Sequence, residues 1–143
     1  ILTPKPKIDK EKINLVKKMW ELAGMKVDIM DPTYHDMVLA ITSHIPHIIA
    51  YSIVGTVSNL ETSLKKEVIK YAASGFKDFT RIAASDPTMW RDIMLLNKSS
   101  ILKMLAIFKK DLAALEKAIK KEDADFMYKL FSKTRKIRKD IIK

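Results

Sequence analysis

The sequence predicts an all-α protein of about six helices that pack as a bundle. Hydrophobic residues make up 48% of its 143 residues, which is enough apolar surface for the core of one folded domain. The chain contains 3 glycines and 5 prolines, and most of these helix breakers stand at the ends of apolar periodic runs. Within those runs, apolar residues recur at steps of three and four, the spacing that places them on one face of a helix.

The first part of the chain reads as a linker followed by a helix. Residues 1–8, with Pro4 and Pro6, resemble the extended end of an interdomain linker, and residues 9–143 form the helical domain. Asp9 is expected to cap a helix that runs to about Ala23. Residues 25–30 alternate in polarity and predict a short extended segment. Because the chain begins with Ile1, we expect it to be a piece of a longer protein.

The next predicted helix contains a proline between two histidines. It starts at Asp31-Pro32 and continues through Pro46. A proline inside a helix removes a backbone hydrogen bond and bends the axis. We therefore expect the polar side chains of Ser43, His44 and His47 to line a cleft at the bend.

The remaining helices follow from their apolar faces. The helix after Pro46 continues through Ile53 and Val54, which we expect to be deeply buried. A helix over residues 60–74 is expected to end at Gly75. The clearest periodic segment spans residues 98–121, and a last helix follows Glu122-Asp123.

Residues 75–97 contain the residue types best suited to binding an acid. A helix start at Ser85-Asp86-Pro87, close behind an earlier one, predicts a corner at Arg81. A guanidinium binds a carboxylate through two parallel hydrogen bonds, which a lysine cannot do. Arg81 is therefore a candidate anion receptor; the alternative is that it pairs with Asp78 or Asp86 and only stabilises the corner. Further polar and aromatic residues flank it: Asp78, Thr80 and Trp90.

The charge and the absence of cysteine limit the possible partners and compartments. The net charge of +10 favours anionic partners, although the lysines are mixed with acids along solvated helix faces. The last helix is strongly basic but accompanies no nucleic-acid motif, and polar residues interrupt the longest apolar run, so we expect neither nucleic acid nor a membrane as partner. With no cysteine, disulfides and thiolate metal sites are excluded, and a cytoplasmic location is expected.

Several kinds of site are not predicted. His44 and His47 stand about one helical turn apart but lack a third ligand at a familiar spacing, so we expect no metal. Neither a Ser/His/Asp set nor a pair of catalytic carboxylates is recognisable. Gly24, Gly55 and Gly75 are too scattered to form a glycine-rich phosphate-binding loop.

The order and spacing of several blocks resemble the C-terminal domain of prephenate dehydrogenase. These blocks, together specific although each alone is weak, extend over nearly the whole chain: His35-Asp36, Ser43 to His47, Gly75 to Ala83, Ser85-Asp86-Pro87, Met89-Trp90 and Asn97. In that family the helical domain forms most of the homodimer interface and completes the substrate cleft. The family resemblance also implies where this chain binds its ligand. Arg81 would bind a carboxylate of prephenate, and the other expected substrate-binding residues are His47, Ser43, His44, Asp78, Thr80 and Trp90.

The reaction implied by the resemblance is the oxidative decarboxylation of prephenate to 4-hydroxyphenylpyruvate, a step of tyrosine and hence aromatic amino acid biosynthesis. The family's N-terminal domain binds the cofactor, NAD or NADP, and supplies the catalytic histidine. That domain is absent here, so this chain is expected to contain no catalytic or cofactor-binding residue and to be inactive alone. Three alternatives remain: an arogenate dehydrogenase domain, a purely structural dimerisation domain, and a basic helical module that binds nucleic acid. Feedback binding of L-tyrosine is left open.

Overall fold

The computed structural model describes residues 1–141, and within them the protein is helical without a β-strand. The structure divides the chain into two compact units, one spanning Ile1–Met104 and the other beginning at Leu105. The α-helices are, in chain order, α1 (Lys10–Leu22), α2 (Pro32–Leu39), α3 (Ile45–Ser58), α4 (Thr62–Lys70), α5 (Ser74–Thr80), α6 (Pro87–Leu96), α7 (Lys98–Lys120) and α8 (Ala124–Ile141). The all-α prediction is confirmed. The number of α-helical segments is larger than the predicted six or so because the short α5 is counted separately and the helix around Pro46 is divided into α2 and α3.

The lead-in of the chain pairs with the segment that follows α1. The Leu2 amide donates to the Asp28 carbonyl oxygen at 2.8 Å, and the Met30 amide donates to the Leu2 carbonyl oxygen at 3.0 Å. These bonds form an isolated parallel bridge between Leu2 and Ile29. The predicted extended segment after α1 is therefore present, and its backbone groups are satisfied by Leu2. The lead-in is extended only around Leu2, because the Ile8 amide donates to the Lys5 carbonyl oxygen at 3.3 Å and closes a turn at Pro6 and Lys7.

Helices α2 and α3 are joined into one continuous helix from Pro32 to Ser58. The joint is a π turn over Ala40–His44, in which the Ile45 amide donates to the Ala40 carbonyl oxygen. A single π turn inside an α-helix accommodates one extra residue and is common at functional sites. Here it directly precedes Pro46, whose missing N–H and bulky ring disturb the ordinary hydrogen-bond ladder.

This continuous helix is also the one described segment that is long and apolar enough, by length and composition, to cross a membrane. Other elements of the first unit pack on this helix, since α3 contacts α4, α5 and the 3₁₀ turn Arg81–Ala84. The expected deep burial of its C-terminal half is wrong for the single chain, since Ile53 and Val54 are 39% and 40% exposed. Their apolar side chains are left for another surface to cover.

The end of α4 differs from the prediction. That helix ends at Lys70, with Tyr71 as its C-cap, and Gly75 lies inside α5. Gly75 does not adopt the left-handed conformation that makes glycine a helix terminator, whereas Gly24, just beyond α1, does so with φ of +83°. The sequence therefore located the break correctly to within a few residues but assigned it to the wrong residue.

Buried side chains concentrate where α2, α3, α6 and the start of α7 meet. The buried apolar residues of the first unit are Ala40, Ile45, Ala50, Trp90 and Ile101. Three buried polar residues lie among the same helices: His44, Asn97 and Ser100. In the second unit, Ala118 on α7 is buried. The polar residues of the first unit therefore have to be satisfied inside its core.

Candidate functional site

Trp90 lies between the two histidines of the continuous helix. Its ring stacks on that of His47, with centroids 3.5 Å apart and planes inclined by 21°. The His44 ring meets Trp90 edge-on, with centroids 6.1 Å apart. Trp90 is 7% exposed, so this aromatic cluster forms one wall of the core as well as a candidate site. Three of the seven predicted site residues are thus brought into direct contact.

The cap of α6 fixes the position of Trp90. The Asp86 carboxylate accepts a hydrogen bond from the Met89 amide at 2.7 Å, and Pro87 follows at the first helical position. A carboxylate cap and an N-terminal proline both favour starting a helix at this point. The predicted helix start is therefore confirmed, and it aligns Trp90 one turn later with the histidines.

Hydrogen bonds fix which ring nitrogen of each histidine bears the proton. His47 Nδ1 donates to the Ser43 carbonyl oxygen at 2.9 Å, because a carbonyl oxygen can only accept. In the neutral ring, His47 Nε2 is then a hydrogen-bond acceptor. Asn97 Nδ2 lies 2.8 Å from the Asp36 carbonyl oxygen and 3.2 Å from His44 Nδ1, and it donates to both. His44 therefore bears its proton on Nε2.

His44 is kept neutral chiefly by burial. Desolvation lowers its pKa below the ordinary value of 6.5, the nearby Asp36 carboxylate acts in the opposite direction, and His47 and His35 lower it further. Among residues 1–141, Trp90 Nε1 is the one buried side-chain polar atom without a hydrogen-bond partner. The unpaired Nε2 of His44 therefore retains some contact with solvent.

The corner that contains Arg81 packs on the helix of the histidines. Arg81 begins the 3₁₀ turn Arg81–Ala84, and this turn and α5 both contact α3. The Tyr51 hydroxyl on α3 donates to the Ser85 carbonyl oxygen at 2.9 Å, which ties the end of the turn to the helix. The predicted corner is therefore present, and the sequence did not reveal that Tyr51 contacts its end.

The Arg81 side chain is exposed and makes no hydrogen bond or ion pair with any residue from 1 to 141. The alternative that it pairs with Asp78 or Asp86 is wrong, because Asp86 caps α6 and Asp78 is exposed without a bonded partner in the described chain. The structure therefore leaves this guanidinium available to an external acid, although it does not enclose it.

The remaining predicted residues are placed less distinctively. The Thr80 hydroxyl donates to the Phe76 carbonyl oxygen of its own helix at 2.7 Å. Ser43 contributes its carbonyl oxygen to His47, and its half-buried side chain has no bonded partner within the described range. The arrangement as a whole offers one cation, one imidazole acceptor and one imidazole donor on neighbouring elements, a set suited to binding an acid that also bears a polar group.

A family model described as the dimerization domain of prephenate dehydrogenase matches residues 31–133. The chain belongs to this family. Its curated relatives include a cyclohexadienyl dehydrogenase of Zymomonas mobilis subsp. mobilis, which is 40% identical over 138 residues. A prephenate dehydrogenase of Bacillus subtilis is 38% identical over 131 residues. These alignments cover 96% and 92% of this chain but 47% and 35% of the relatives, so the chain spans half of their length or less.

Solved structures of prephenate dehydrogenases have the same fold. The prephenate dehydrogenase from A. aeolicus, in complex with hydroxyphenyl propionate and NAD+, superposes with a TM-score of 0.89 at 40% identity, covering 97% of this chain and 48% of that one. A Synechocystis arogenate dehydrogenase superposes with a TM-score of 0.87 at 23% identity, covering 96% and 50%. The second likeness concerns the fold alone. Family membership favours the dehydrogenase interpretation over a basic nucleic-acid-binding module.

Proposed function

We propose that this chain is the helical, substrate-completing domain of a prephenate dehydrogenase, which oxidatively decarboxylates prephenate to 4-hydroxyphenylpyruvate for tyrosine biosynthesis. The observation that supports this most strongly is the match of residues 31–133 to the family's dimerization domain. The geometry agrees, since prephenate is a dicarboxylate and Arg81 has no carboxylate partner among the described residues. We place the enzyme in the cytoplasm.

Arg81 and the histidines would divide the binding of the substrate. The Arg81 guanidinium would bind one carboxylate of prephenate through two hydrogen bonds, with Asp78 and Thr80 beside it on α5. His47 and His44 would contact polar groups of the ring end, with Trp90 as the flat surface behind His47. Ser43 adds a hydroxyl on the same turn. Closing the cleft over the exposed Arg81 would exclude water and strengthen its ion pair.

We propose that the nicotinamide cofactor is bound mainly outside this chain. Gly55 lies in the last turn of α3, Gly75 is the second residue of α5 and Gly24 follows α1, so no two of these glycines share a turn at a helix start that could hold a pyrophosphate. We therefore derive no step through NAD or NADP from these residues. The part of the longer relatives that this chain does not span would bind the cofactor and supply the catalytic histidine.

We also propose a homodimer, in keeping with the description of the family model. Apolar side chains of α8 are exposed in the single chain: Tyr128 is 75% exposed, Phe131 53% and Ile137 49%. Ile53 and Val54 on α3 are exposed as well. Exposed apolar side chains of this kind mark a protein contact, and a second copy is the partner that the family's dimerisation implies.

The test is an assay of the full-length protein with prephenate and, in parallel, with arogenate, each with NAD and with NADP. We expect turnover of prephenate to 4-hydroxyphenylpyruvate with a nicotinamide cofactor, and none by this 143-residue chain alone. Preferred turnover of arogenate would identify the runner-up activity. No turnover of either substrate by a folded full-length protein would contradict the proposal. Adding L-tyrosine to the same assay shows whether it competes for the site.

A further inference from the structure

Asn97 is a buried polar residue that connects three helices. It is 8% exposed and follows the last residue of α6, directly before α7 begins. Its amide nitrogen donates to the Asp36 carbonyl oxygen on α2 and to His44 Nδ1 in the π turn. These contacts join residues 61 and 53 positions apart in the sequence. Asn97 is thus hydrogen-bonded to His44, a predicted site residue, although Asn97 itself was not predicted to be part of the site.

The orientation of the Asn97 amide is determined by the Asp36 carbonyl. That oxygen can only accept a hydrogen bond, so the atom 2.8 Å away must be the amide nitrogen. The second hydrogen of the same nitrogen is then directed to His44 Nδ1, which must accept it. A backbone oxygen cannot change its hydrogen-bonding role, so it imposes a single tautomer on the histidine through Asn97.

The two histidines therefore offer a ligand opposite groups. His44 presents an N–H donor at Nε2, whereas His47, bonded through Nδ1 to the Ser43 carbonyl, presents an acceptor at Nε2. Without Asn97, the proton of neutral His44 could occupy Nδ1 instead of Nε2. His44 would then no longer offer an N–H donor at Nε2. A site that must recognise a particular pattern of oxygens gains selectivity from fixed donors and acceptors.

We propose that Asn97 is a positioning residue that holds His44 as the Nε2–H tautomer, so that His44 donates to an oxygen acceptor of the ligand while His47 accepts from a ligand donor. The part that concerns the ligand rests on the proposed function, whereas the tautomer does not. The titratable groups around His44 are Asp36 and His35 on α2 and His47 on α3, and from α6 and its C-cap it meets the neutral Trp90 and Asn97.

The tautomers can be measured directly, since the chain contains 3 histidines. Long-range ¹H–¹⁵N correlation spectra of this chain, recorded well above the pKa of His44, should show protonated Nε2 in His44 and protonated Nδ1 in His47. Asn97→Ala should give His44 a mixture of tautomers. Asn97→Asp, which places an acceptor at Nδ1, should move the proton of His44 to Nδ1 and raise its pKa. Asn59→Asp, an exposed C-cap at the end of α3, is the matched control and should change neither property.

Kinetics of the full-length protein test the ligand part. Asn97→Ala should lower kcat/KM for prephenate by roughly tenfold to a hundredfold, the loss expected for a misplaced donor to a charged group. Asn97→Asp should in addition shift the acidic limb of the pH profile. A wild-type His44 protonated on Nδ1, or an unchanged tautomer in Asn97→Ala, would overturn the positioning role.

The outcomes separate the two proposals. If the tautomers respond as expected but kcat/KM does not, the role of His44 as a ligand donor is wrong while the dehydrogenase assignment stands. If the full-length protein turns over neither prephenate nor arogenate, the proposed function fails, and the spectra still decide whether Asn97 fixes the tautomer. If Asn97→Asp does not fold, Asn97→Ala and the wild-type spectra give the same decision.

Discussion

At the scale of single residues, two histidines close together on one helix have different surroundings and different chemistry. His44 is buried and bonded by a side chain from a distant helix end, whereas His47 is half-buried, bonded to its own helix and stacked on Trp90. Sequence spacing alone suggested that both line a cleft. Their hydrogen bonds show that one ring offers a donor and the other an acceptor.

The lowered pKa of His44 predicts a pH-dependent stability. Burial makes the folded protein bind this proton less tightly than the unfolded chain does, so protonation favours unfolding. The stabilisation of the fold by neutral His44 is fully present above the ordinary histidine pKa of 6.5. It is lost as the pH falls from 6.5 through the lowered pKa of His44 in the folded protein. Urea unfolding of this chain at a series of pH values should show the free energy of unfolding falling with pH in this range. The fall should be smaller in His44→Gln, which has no imidazole at this position. Equal pH dependence of the free energy of unfolding in the wild type and His44→Gln would contradict the assignment.

Trp90 is predicted to stabilise the fold through the packing of its ring rather than through a hydrogen bond of its N–H. Trp90→Ala should lower the free energy of unfolding by about 3–5 kcal/mol, as expected for truncating a large buried aromatic residue. Trp90→Phe should cost far less, because the indole N–H has no partner in the described residues and leaving it unpaired is already unfavourable. Trp20 is 46% exposed and provides the matched pair of controls, which should both have small effects in urea unfolding. An equal loss for Trp90→Phe and Trp90→Ala would show that the N–H has an essential partner.

The sequence contained enough information to select His44, His47 and Trp90 but not Asn97 or Tyr51. The first three can be selected because His44 and His47 flank a proline in a helix and Trp90 follows a helix cap close to Arg81. Asn97 and Tyr51 act through contacts between distant segments, and no local periodicity indicates such contacts. Two signals pointed to Asn97, its place among the blocks that resemble the family and its position as a polar residue at the end of an apolar helix, but neither indicates which groups it contacts.

At the scale of helices, the caps determine where the site residues lie. Asp9, Asp31 and Asp86 each accept a backbone N–H of the helix that follows, and all were marked in the sequence as helix starts. These starts could be predicted because an acidic N-cap satisfies the free amides of a first turn within three residues. The end of α4 could not, because Tyr71 ends that helix without a glycine.

Removing the cap of α6 should weaken the fold and loosen Trp90. Asp86→Ala is expected to lower the free energy of unfolding by about 1 kcal/mol, the usual cost of losing an N-cap. Asp86→Asn keeps an acceptor oxygen and should restore most of that loss. Thermal unfolding followed by circular dichroism measures both, with Asp78→Ala, which removes an exposed carboxylate, as the control. If Asp78→Ala were as destabilising as Asp86→Ala, the cap would have no special role.

The π turn is the element whose form was hardest to predict from the sequence. A proline in the helix predicted a bend, and the structure resolves the conflict with one extra residue, over Ala40–His44, before the proline. The pattern of residues does not specify whether a helix bends, breaks or widens at a proline, because each relieves the same clash. The Trp90 ring on α6 meets His44 of this turn edge-on, a contact between distant segments that no local pattern indicates.

At the scale of the whole molecule, the exposed apolar side chains indicate that the chain does not act alone. Phe131→Asp on α8 should weaken self-association of this chain, because it introduces a charge among the exposed apolar residues Tyr128, Phe131 and Ile137. Ser132→Asp adds the same charge at the neighbouring position and is the matched control. Sedimentation equilibrium should give a dimer for the wild type and the control and a larger monomer fraction for Phe131→Asp. A monomeric wild type at high concentration would contradict the homodimer.

The proposed binding of a substrate carboxylate by Arg81 is tested most directly by the kinetics of full-length variants. Arg81→Ala should lower kcat/KM for prephenate by roughly a hundredfold or more, because a charge-assisted bidentate contact is lost, and Arg81→Lys should recover only part of it. Arg91→Ala, which breaks an exposed pair with Asp92, should leave kcat/KM near the wild-type value. A wild-type kcat/KM in Arg81→Ala would show that Arg81 does not bind the substrate carboxylate.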